Sequence, residues 1–162
     1  MLQLTRKTDY ALIAMTALAG EVSPVSARDL AERHSLSQPL LANVLKDLGA
    51  AGLVSSVRGK HGGYRLAADP AFVSIGQVIE ALEGPFQLAG CTGTESAAGC
   101  EISGCCTVKW TVRSIHDAMV EILRKVTIAD VVSHARAGAA GVLSETDVKG
   151  LEFHEVPLNL EV

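Results

Sequence analysis

Between residues 26 and 67, two short helical patterns run directly into a glycine-rich, basic turn. Ser26 and Asp29 form a capping-box pattern ahead of the first helix, which is predicted to end near His34. Ser37 is placed to cap the second helix, and its apolar stripe consists of Leu40, Leu41, Val44, Leu45 and Leu48. Because only residues 34–36 separate the two helices, they match a helix-turn-helix. An ordinary antiparallel helix pair in a bundle fits this stretch equally well.

The segment after the second helix distinguishes these two interpretations. Residues 53–57 and 64–67 are β-prone, and the turn between them, residues 58–63, has the sequence Arg-Gly-Lys-His-Gly-Gly. A basic hairpin directly after a helix-turn-helix is a wing. Its glycines allow close approach to a phosphate backbone, and the Arg58 guanidinium has the geometry to bind a base edge. The alternative is a solvated basic loop.

The outward faces of the second helix and the wing supply the candidate DNA contacts. They are Ser37, Gln38, Pro39, Asn43 and Lys46 on the helix and Arg58, Lys60 and His61 on the wing. The charge distribution agrees with this placement. Residues 1–70 contain eight Lys/Arg against six Asp/Glu, a balance of +2, whereas residues 71–162 contain six against twelve, a balance of −6. The positive excess therefore lies in the half that is predicted to meet phosphate.

A long amphipathic helix is predicted in the C-terminal half. Its apolar positions alternate at spacings of four and three residues, an a/d heptad pattern, and are Val108, Val112, Ile115, Met119, Ile122 and Val126. The chain contains no second long helix of this kind, so we expect the same helix of a second subunit to pack against it in a homodimer. Packing of this seam onto the winged domain alone is the alternative. Thr127 and Asp130 form a capping box for a short closing helix that Gly138 ends.

Four cysteines occur in a loop rich in glycine, serine and threonine, at positions 91, 100, 105 and 106. The first ten residues lack the apolar core of a signal peptide, and the longest apolar stretch, residues 11–20, is too short to span a bilayer. We therefore expect a cytoplasmic protein that does not enter the membrane. In that reducing compartment, clustered cysteines indicate metal or redox chemistry before structural disulfides. Thiolates are the preferred ligands of iron-sulfur clusters and of zinc.

These patterns predict a mainly α fold with a small β wing, a winged helix-turn-helix followed by a long C-terminal dimerisation helix. The predicted parts are a winged helix-turn-helix DNA-binding domain at 1–85, a cysteine-bearing sensor loop at 86–107, a dimerisation helix with a short closing helix at 108–138, and a tail at 139–162. The tail has no reliable pattern, and disorder is an open option for it.

Three stretches carry a family resemblance: LTRKTDYALIAMTALA, LANVLKDLGAAGLVSSVRGKHGGYRLA and CEISGCCTVKWTVRSIHDAM. In this order and at these distances they resemble the Rrf family of bacterial winged-helix regulators. The resemblance covers about residues 1–137, and GLVxSxRGxxGGYxLA is its most specific part. The family includes an iron-sulfur cluster regulator, a nitric-oxide sensor and a cluster-free repressor of cysteine metabolism. It implies a homodimer, with winged domains flanking crossed long helices, that binds a pseudo-palindromic double-stranded DNA operator.

The resemblance also implies a ligand set. In cluster-bearing members, three loop cysteines hold a [2Fe-2S] or [4Fe-4S] cluster, and five residues separate the last two. Cys100 and Cys106 have this spacing, and Cys91 lies upstream with a gap of eight residues, longer than in the iron-sulfur regulators, so both cluster types remain open. Cys91, Cys100 and Cys106 are therefore the expected ligands. Because adjacent residues of an extended loop point to opposite sides, Cys105 is the expected spare.

The fourth ligand has two candidates. Some members place a histidine three residues after the last cysteine, but Lys109 stands there and cannot serve while it is charged. Others use an acidic residue of the first helix of the other subunit, and Asp9 occupies the matching position. Asp9 is equally compatible with a surface or capping carboxylate. Cys105 is the second candidate.

These residues leave three candidate functions. The first is a transcriptional regulator whose cluster state sets its DNA affinity, responding to iron-sulfur supply, oxidants or nitric oxide. The second is a cluster-free regulator controlled by a metabolite or a partner protein, with the cysteines idle or bound to zinc. The third, a thiol oxidoreductase using Cys105 and Cys106, lacks the expected C-x-x-C motif beside a βαβ pattern. The five histidines are scattered, with His116 and His134 predicted to be exposed, so no enzyme is expected.

Overall fold

The computed structural model describes residues 4–59, 61–93 and 105–137. Lys60, Cys100 and the predicted tail at 139–162 lie outside the described residues. The helices are α1 (Arg6–Ala19), α2 (Ala27–Arg33), α3 (Gln38–Ala50), α4 (Ile75–Glu83), α5 (Lys109–Lys125) and α6 (Ile128–Ala137). Strands β1 (Val54–Val57) and β2 (Gly63–Leu66) form an antiparallel pair, and a 3-10 turn spans Pro70–Phe72. The predicted mainly α fold with a small β wing is confirmed, whereas dimerisation through α5 stays a prediction.

The described residues divide into two compact units. The first contains residues 4–59, 61–86 and 123–137, and the second contains residues 87–93 and 105–122. The first unit thus holds α1 to α4, the two strands, the last residues of α5 and all of α6. The boundary between the units falls inside α5.

The core of the first unit is built from α1, α3 and the elements that pack on them. Met15 of α1 and Leu41, Leu45 and Leu48 of α3 are completely buried, beside the small side chains of Ala11 and Ala14. Small residues let neighbouring helices approach closely, and each fully buried leucine contributes about 1.5–3 kcal/mol relative to exposure. The core is therefore aliphatic, as the low aromatic content of 4% requires.

Side-chain caps explain where most of these helices begin. Ser74 and Gln77 form both bonds of a capping box at the start of α4, with donor–acceptor distances of 2.8 and 3.2 Å. Thr127 and Asp130 form the same pair of bonds before α6, at 2.8 and 3.2 Å. The predicted capping box of Thr127 and Asp130 is therefore confirmed. Ser26 accepts a bond from the Asp29 backbone N–H at 3.1 Å, and its own hydroxyl donates to the Asp29 carboxylate at 2.8 Å.

The closing helix α6 belongs to the first unit. Ile128 is completely buried in the same core as α1, and its N–H donates to the Val73 carbonyl at 2.8 Å. Two residues after Val73, the Ile75 N–H donates to the Val126 carbonyl at 2.9 Å, so backbone bonds join the start of α4 to the start of α6. The hydrogen bonds from Thr127 hold the pKa of Asp130 below its ordinary value. These contacts anchor the end of α5 in the winged unit.

The second unit consists of a short loop and most of α5. Thr92 is buried in the loop, where its hydroxyl donates to the Ala89 carbonyl at 2.7 Å and accepts from the Ala89 N–H at 3.2 Å. On α5, His116 is only 9% exposed, so its prediction as an exposed helix residue is wrong. The prediction rested on the spacing of apolar residues along α5. A histidine is not counted among them, so its burial could not be predicted from this pattern. Within the described residues, no helix is long and apolar enough to cross a membrane.

Candidate nucleic-acid interface and cysteine-bearing loop

Helix α3 has one buried and one exposed face. Leu41, Val44, Leu45 and Leu48 are all completely buried, at positions that recur with the helical period. The outward positions that the sequence singled out are all exposed: Ser37, Gln38, Pro39, Asn43 and Lys46. All five predicted residues are therefore accessible: Pro39, Asn43 and Lys46 follow one another at helical spacing on one side of α3, and Ser37 and Gln38 stand at its start.

The turn before α3 sets the entry of this helix. α2 ends at Arg33 with His34 as its C-cap, and Ser35 adopts a left-handed backbone with φ of 54°, the one non-glycine residue with positive φ among those described. The Leu36 N–H then bonds back to the Ala31 carbonyl at 2.9 Å, which closes the turn. Ser37 follows at the N-cap position of α3. The predicted side-chain cap is wrong, because the Ser37 side chain makes no capping bond; its N–H donates instead to the Tyr10 hydroxyl at 3.2 Å.

The wing is an antiparallel hairpin with a defined register. Val54 pairs with Leu66 and Val57 pairs with Gly63, so the connecting turn begins at Arg58. Gly59 has a φ of 122°, which side-chain-bearing residues rarely adopt, and its carbonyl accepts from the Gly62 N–H at 3.0 Å. Arg58 and His61 are exposed on this turn, as predicted DNA contacts must be. Arg65 on β2 is also exposed, with its Nε bonded to the Ser55 hydroxyl at 3.2 Å.

A third segment fixes the root of the wing. Val25, just before α2, exchanges two backbone bonds with Tyr64 at 2.9 and 2.8 Å. Gly63 lies so close to this segment that an added Cβ would meet the backbone of Val25 and the Ser26 nitrogen. The glycine is thus required by the close approach of the two chains. The wing is held to the same helix-turn-helix that carries α3.

The electrostatics of this surface leave several cations for an anionic partner. The ion pairs of the first unit include Lys7–Asp47 at 3.0 Å, Arg28–Glu32 at 2.8 Å and Arg33–Glu21 at 2.6 Å. None of them involves Lys46, Arg58 or Arg65. Surface pairs of this kind contribute little stability by themselves. The pairing of Asp47 with Lys7 does, however, neutralise an acidic residue at the end of α3.

A second polar cluster joins α1 to α4. The Glu83 carboxylate accepts hydrogen bonds from the Thr5 hydroxyl at 2.8 Å, from the Thr5 N–H at 3.3 Å and from the Thr8 hydroxyl. Thr8 is completely buried. These bonds, the one from Thr8 first, hold the pKa of Glu83 below its ordinary value. Neither this cluster nor the contact of Tyr10 with Ser37 has a signal in the sequence, because each joins residues that are far apart in the chain.

Three of the four cysteines lie among the described residues of the second unit. Cys91 and Cys106 are half-buried, and Cys105 is exposed; all three are thiols rather than disulfides. The predicted ligand Cys100 lies outside the described residues. Within the described ranges, no group of three or more His, Cys, Asp or Glu side chains is arranged to hold a metal ion. Asp9, the candidate fourth ligand, is exposed in the first turn of α1, in the first unit.

The profile of one protein family matches most of this chain. The family is Rrf2, described as an iron-dependent transcriptional regulator, and the match covers residues 4–134. The chain belongs to the Rrf2 family. As an Rrf2 protein it is a transcriptional regulator and not an enzyme, which confirms the predictions of family and of a non-catalytic role.

Similar proteins support this assignment. The Rrf2 chain is 33% identical over 133 residues to the HTH-type transcriptional regulator NsrR of Bacillus licheniformis, covering 81% of this chain and 92% of that protein. It is 35% identical over 134 residues to the regulator IscR of Vibrio vulnificus, covering 82% and 78%. The solved structure of CymR, the global cysteine regulator of B. subtilis, matches with a TM-score of 0.66 and 32% identity, covering 82% and 98%. T. potens IscR matches with a TM-score of 0.66 and 31% identity, covering 86% and 94%.

Proposed function

We propose that this chain is a homodimeric, sequence-specific DNA-binding transcriptional regulator that reads the major groove with α3 and contacts the backbone with its wing. The two-faced character of α3 carries the proposal. Leu41, Val44, Leu45 and Leu48 are completely buried and fix the helix in the core, while Gln38, Asn43 and Lys46 are exposed to solvent. Amide and amino groups on one exposed helix face are suited to the donor and acceptor pattern of base edges.

The wing supplies a second point of contact. Arg58, Lys60 and His61 lie on or within its turn, and Arg65 follows on β2. Phosphate contacts of this kind position a protein on the duplex, and a guanidinium is also able to enter the minor groove. Ser37, with its hydroxyl not engaged in capping, adds a polar group at the start of α3.

Substitution of Asn43 tests the reading role of α3. A duplex enriched from a random-sequence library by the wild-type protein serves as the operator. Asn43→Ala is expected to weaken binding to this operator by about 1–3 kcal/mol and to relax the preference at one base pair of each half-site. Glu80→Ala, an exposed residue on α4, is the matched control and should bind as the wild type does. An unchanged base preference in Asn43→Ala would remove α3 from the mechanism.

We further propose that Cys91, Cys100 and Cys106 are the protein ligands of a [2Fe-2S] or [4Fe-4S] cluster. The side chains of these cysteines suit an iron-sulfur cluster, because soft thiolates are its preferred ligands. Cys91 and Cys106 are not in disulfides and lie in the same compact unit. When bound, the cluster would supply a centre that reacts with oxidants and nitric oxide. Asp9 and Cys105 are the candidates for a fourth ligand; Asp9 would come from the other subunit.

The likeness to CymR supports a second candidate, a cluster-free regulator controlled by a metabolite or a partner protein. That structure is named for cysteine regulation, and its TM-score of 0.66 equals that of T. potens IscR. Iron and sulfide analysis of anaerobically purified protein separates the two. The cluster-bearing regulator contains both elements and absorbs in the visible range, whereas the cluster-free regulator is colourless.

Single serine substitutions test the ligand set. Replacing Cys91, Cys100 or Cys106 should remove most of the visible absorbance of the reconstituted protein, whereas Cys105→Ser should retain it. Bleaching by Cys105→Ser with a coloured Cys106→Ser protein would show that the ligand choice is wrong. A colourless wild-type protein without iron would exclude the cluster-bearing regulator and support the cluster-free one.

We propose that the apolar seam of α5 forms the dimer interface. Val108 and Ile115 are 58% and 43% exposed, which is high for branched apolar side chains. Val112, Met119 and Ile122 on the same seam are half-buried. A second copy of α5 would cover this stripe in the manner of a coiled coil. A dimer also presents two copies of α3 to a pseudo-palindromic operator.

A further inference from the structure

Tyr10 of α1 forms a hydrogen bond to the residue directly before α3. Its ring is half-buried on α1, and its hydroxyl accepts a hydrogen bond from the Ser37 N–H at 3.2 Å. Thr5, Ser26 and Ser74 cap their own helices with their side chains, whereas Ser37 does not. The position of the N-cap of α3 is therefore set by a residue 27 positions earlier in the chain.

The other end of α3 is tied to the same part of α1. Lys7, one turn before Tyr10, forms an ion pair with Asp47 at 3.0 Å, and each side chain is 42% exposed. Residues three apart lie on neighbouring positions of one helix face. Two side chains of α1, one turn apart, thus contact Ser37 directly before α3 and Asp47 in the last turn of α3.

The first turns of α1 are themselves fixed. Thr5 and Thr8 both bond to the Glu83 carboxylate at the end of α4, and Thr8 is completely buried. Beyond this cluster, Ala11, Ala14 and Met15 are packed in the core. The Tyr10 hydroxyl is therefore a fixed point, and a bond to it restrains the Ser37 backbone rather than merely accompanying it.

We propose that Tyr10 is a specificity-determining positioning residue for DNA recognition, acting through the Ser37 backbone on the first turn of α3. This inference rests on the proposed function of α3. Base-edge contacts depend on hydrogen-bond geometry at the level of tenths of an ångström, whereas phosphate contacts from long cationic side chains tolerate small shifts. Release of the N-cap therefore lowers affinity for the operator more than affinity for unrelated DNA.

The test compares Tyr10→Phe with the wild type on two duplexes of equal length, the enriched operator and a random sequence. Tyr10→Phe removes one oxygen and keeps the ring packing. We expect operator affinity to fall by about fivefold to tenfold, the range for one hydrogen bond, with less than about a twofold change on random DNA. Thr16→Val is the control, because it removes a hydroxyl from α1 that bonds only to the carbonyls of Leu12 and Ile13. It should leave the ratio of the two affinities unchanged.

Amide hydrogen exchange of the wild-type protein is the second measurement, and it keeps the test decisive if Tyr10→Phe is insoluble. The Ser37 N–H that donates to Tyr10 should exchange more slowly than an unbonded amide. An unchanged ratio of operator to random affinity in the soluble Tyr10→Phe protein overturns the inference, and so does a Ser37 amide that exchanges as fast as an unbonded one. A wild type that does not distinguish the two duplexes overturns the proposed function instead.

Discussion

Single side chains on the wing are expected to contribute different kinds of DNA contact. Arg58 directly follows Val57, the last paired residue of β1, while Lys60 and His61 lie farther along the turn in sequence. A guanidinium on a restrained backbone is suited to a directed contact with a base edge or a narrow minor groove. An ammonium on a flexible stem acts as a point charge toward phosphate.

Substitution of these two cations is therefore expected to give different results. Arg58→Ala should cost about 1–3 kcal/mol on the operator, with a smaller loss on random DNA. Lys60→Ala should weaken all DNA similarly and reduce the slope of affinity against salt by about one. Binding titrations at several salt concentrations measure both effects, with Arg124→Ala as an exposed control on α5. If both variants bind the operator like the wild type, the wing has no role in recognition.

The hydrogen bonds to Glu83 make the stability of the fold depend on pH in the acid range. Because its folded-state pKa lies below the ordinary value of 4.5, the carboxylate stabilises the fold above pH 4.5, and this contribution is lost as pH falls through the lowered pKa. Glu83→Gln should lower the Tm at neutral pH by about 2–4 °C and flatten the decline of Tm toward acid. Glu80→Gln on the same helix is the control. Equal acid profiles for the wild type and Glu83→Gln would contradict this role.

The sequence predicted those residues whose roles follow from helical periodicity. The inward leucines of α3 fix its outward face, so Asn43 and Lys46 could be assigned without coordinates. Contacts such as Tyr10 with Ser37 could not, because polar pairs far apart in sequence leave no periodic pattern. A serine directly before a helix predicts a side-chain cap. The contact with Tyr10 that takes its place joins residues 27 positions apart and is not visible in the local sequence.

At the level of elements, the wing depends on two close backbone approaches. The Gly62 position faces the carbonyls of Val57 and Gly59, and the Gly63 position faces the backbone around Val25. Backbone cannot move aside as a flexible side chain can, so any Cβ at these positions displaces a strand. The geometry of the wing relative to α2 and α3 is therefore determined by glycine.

Gly63→Ala should separate β2 from Val25 and shift the wing. We expect a loss of about 1–3 kcal/mol in the free energy of unfolding, comparable to overpacking of a core, together with weaker operator binding. Gly20→Ala is the matched control: its Cβ would make only an ordinary contact of 3.5 Å, and it should change stability by less than about 0.5 kcal/mol. Denaturant unfolding measures the difference. Equal stability of the two variants would contradict the close approach at Gly63.

Element boundaries could largely be predicted because capping residues and glycines mark them. The boxes at Ser74 and Thr127 locate α4 and α6, and Gly84 ends α4 with a φ of 82°. The packing of α6 could not be predicted, since its apolar face suits either a dimer partner or its own domain. Only tertiary contacts, with Ile128 in the core beside α1, decide that it packs within the winged unit.

For the molecule as a whole, the proposed dimer links two DNA-reading surfaces. Each winged unit presents one copy of α3, and joining two half-site contacts converts the second into an intramolecular event. The end of α5 is anchored in the winged unit through Val126 and Ile128.

Met119→Asp places a charge in the proposed seam and should produce monomers or insoluble protein, with loss of tight operator binding. Thr111→Asp introduces the same charge at an exposed position off the seam and should remain dimeric. Analytical ultracentrifugation distinguishes the two. A folded Met119→Asp dimer would exclude this seam as the interface.

Selection of duplexes from a random-sequence library by anaerobically purified wild-type protein tests the proposed DNA-reading role. A homodimer with one α3 in each half-site should enrich two-fold symmetric sequences whose half-sites are separated by about one helical turn, roughly 10 base pairs, or a multiple of it. Enrichment of such a symmetric site is the predicted result. Failure to enrich any sequence, with binding that depends on salt alone, would contradict the assignment of this chain as a sequence-specific regulator.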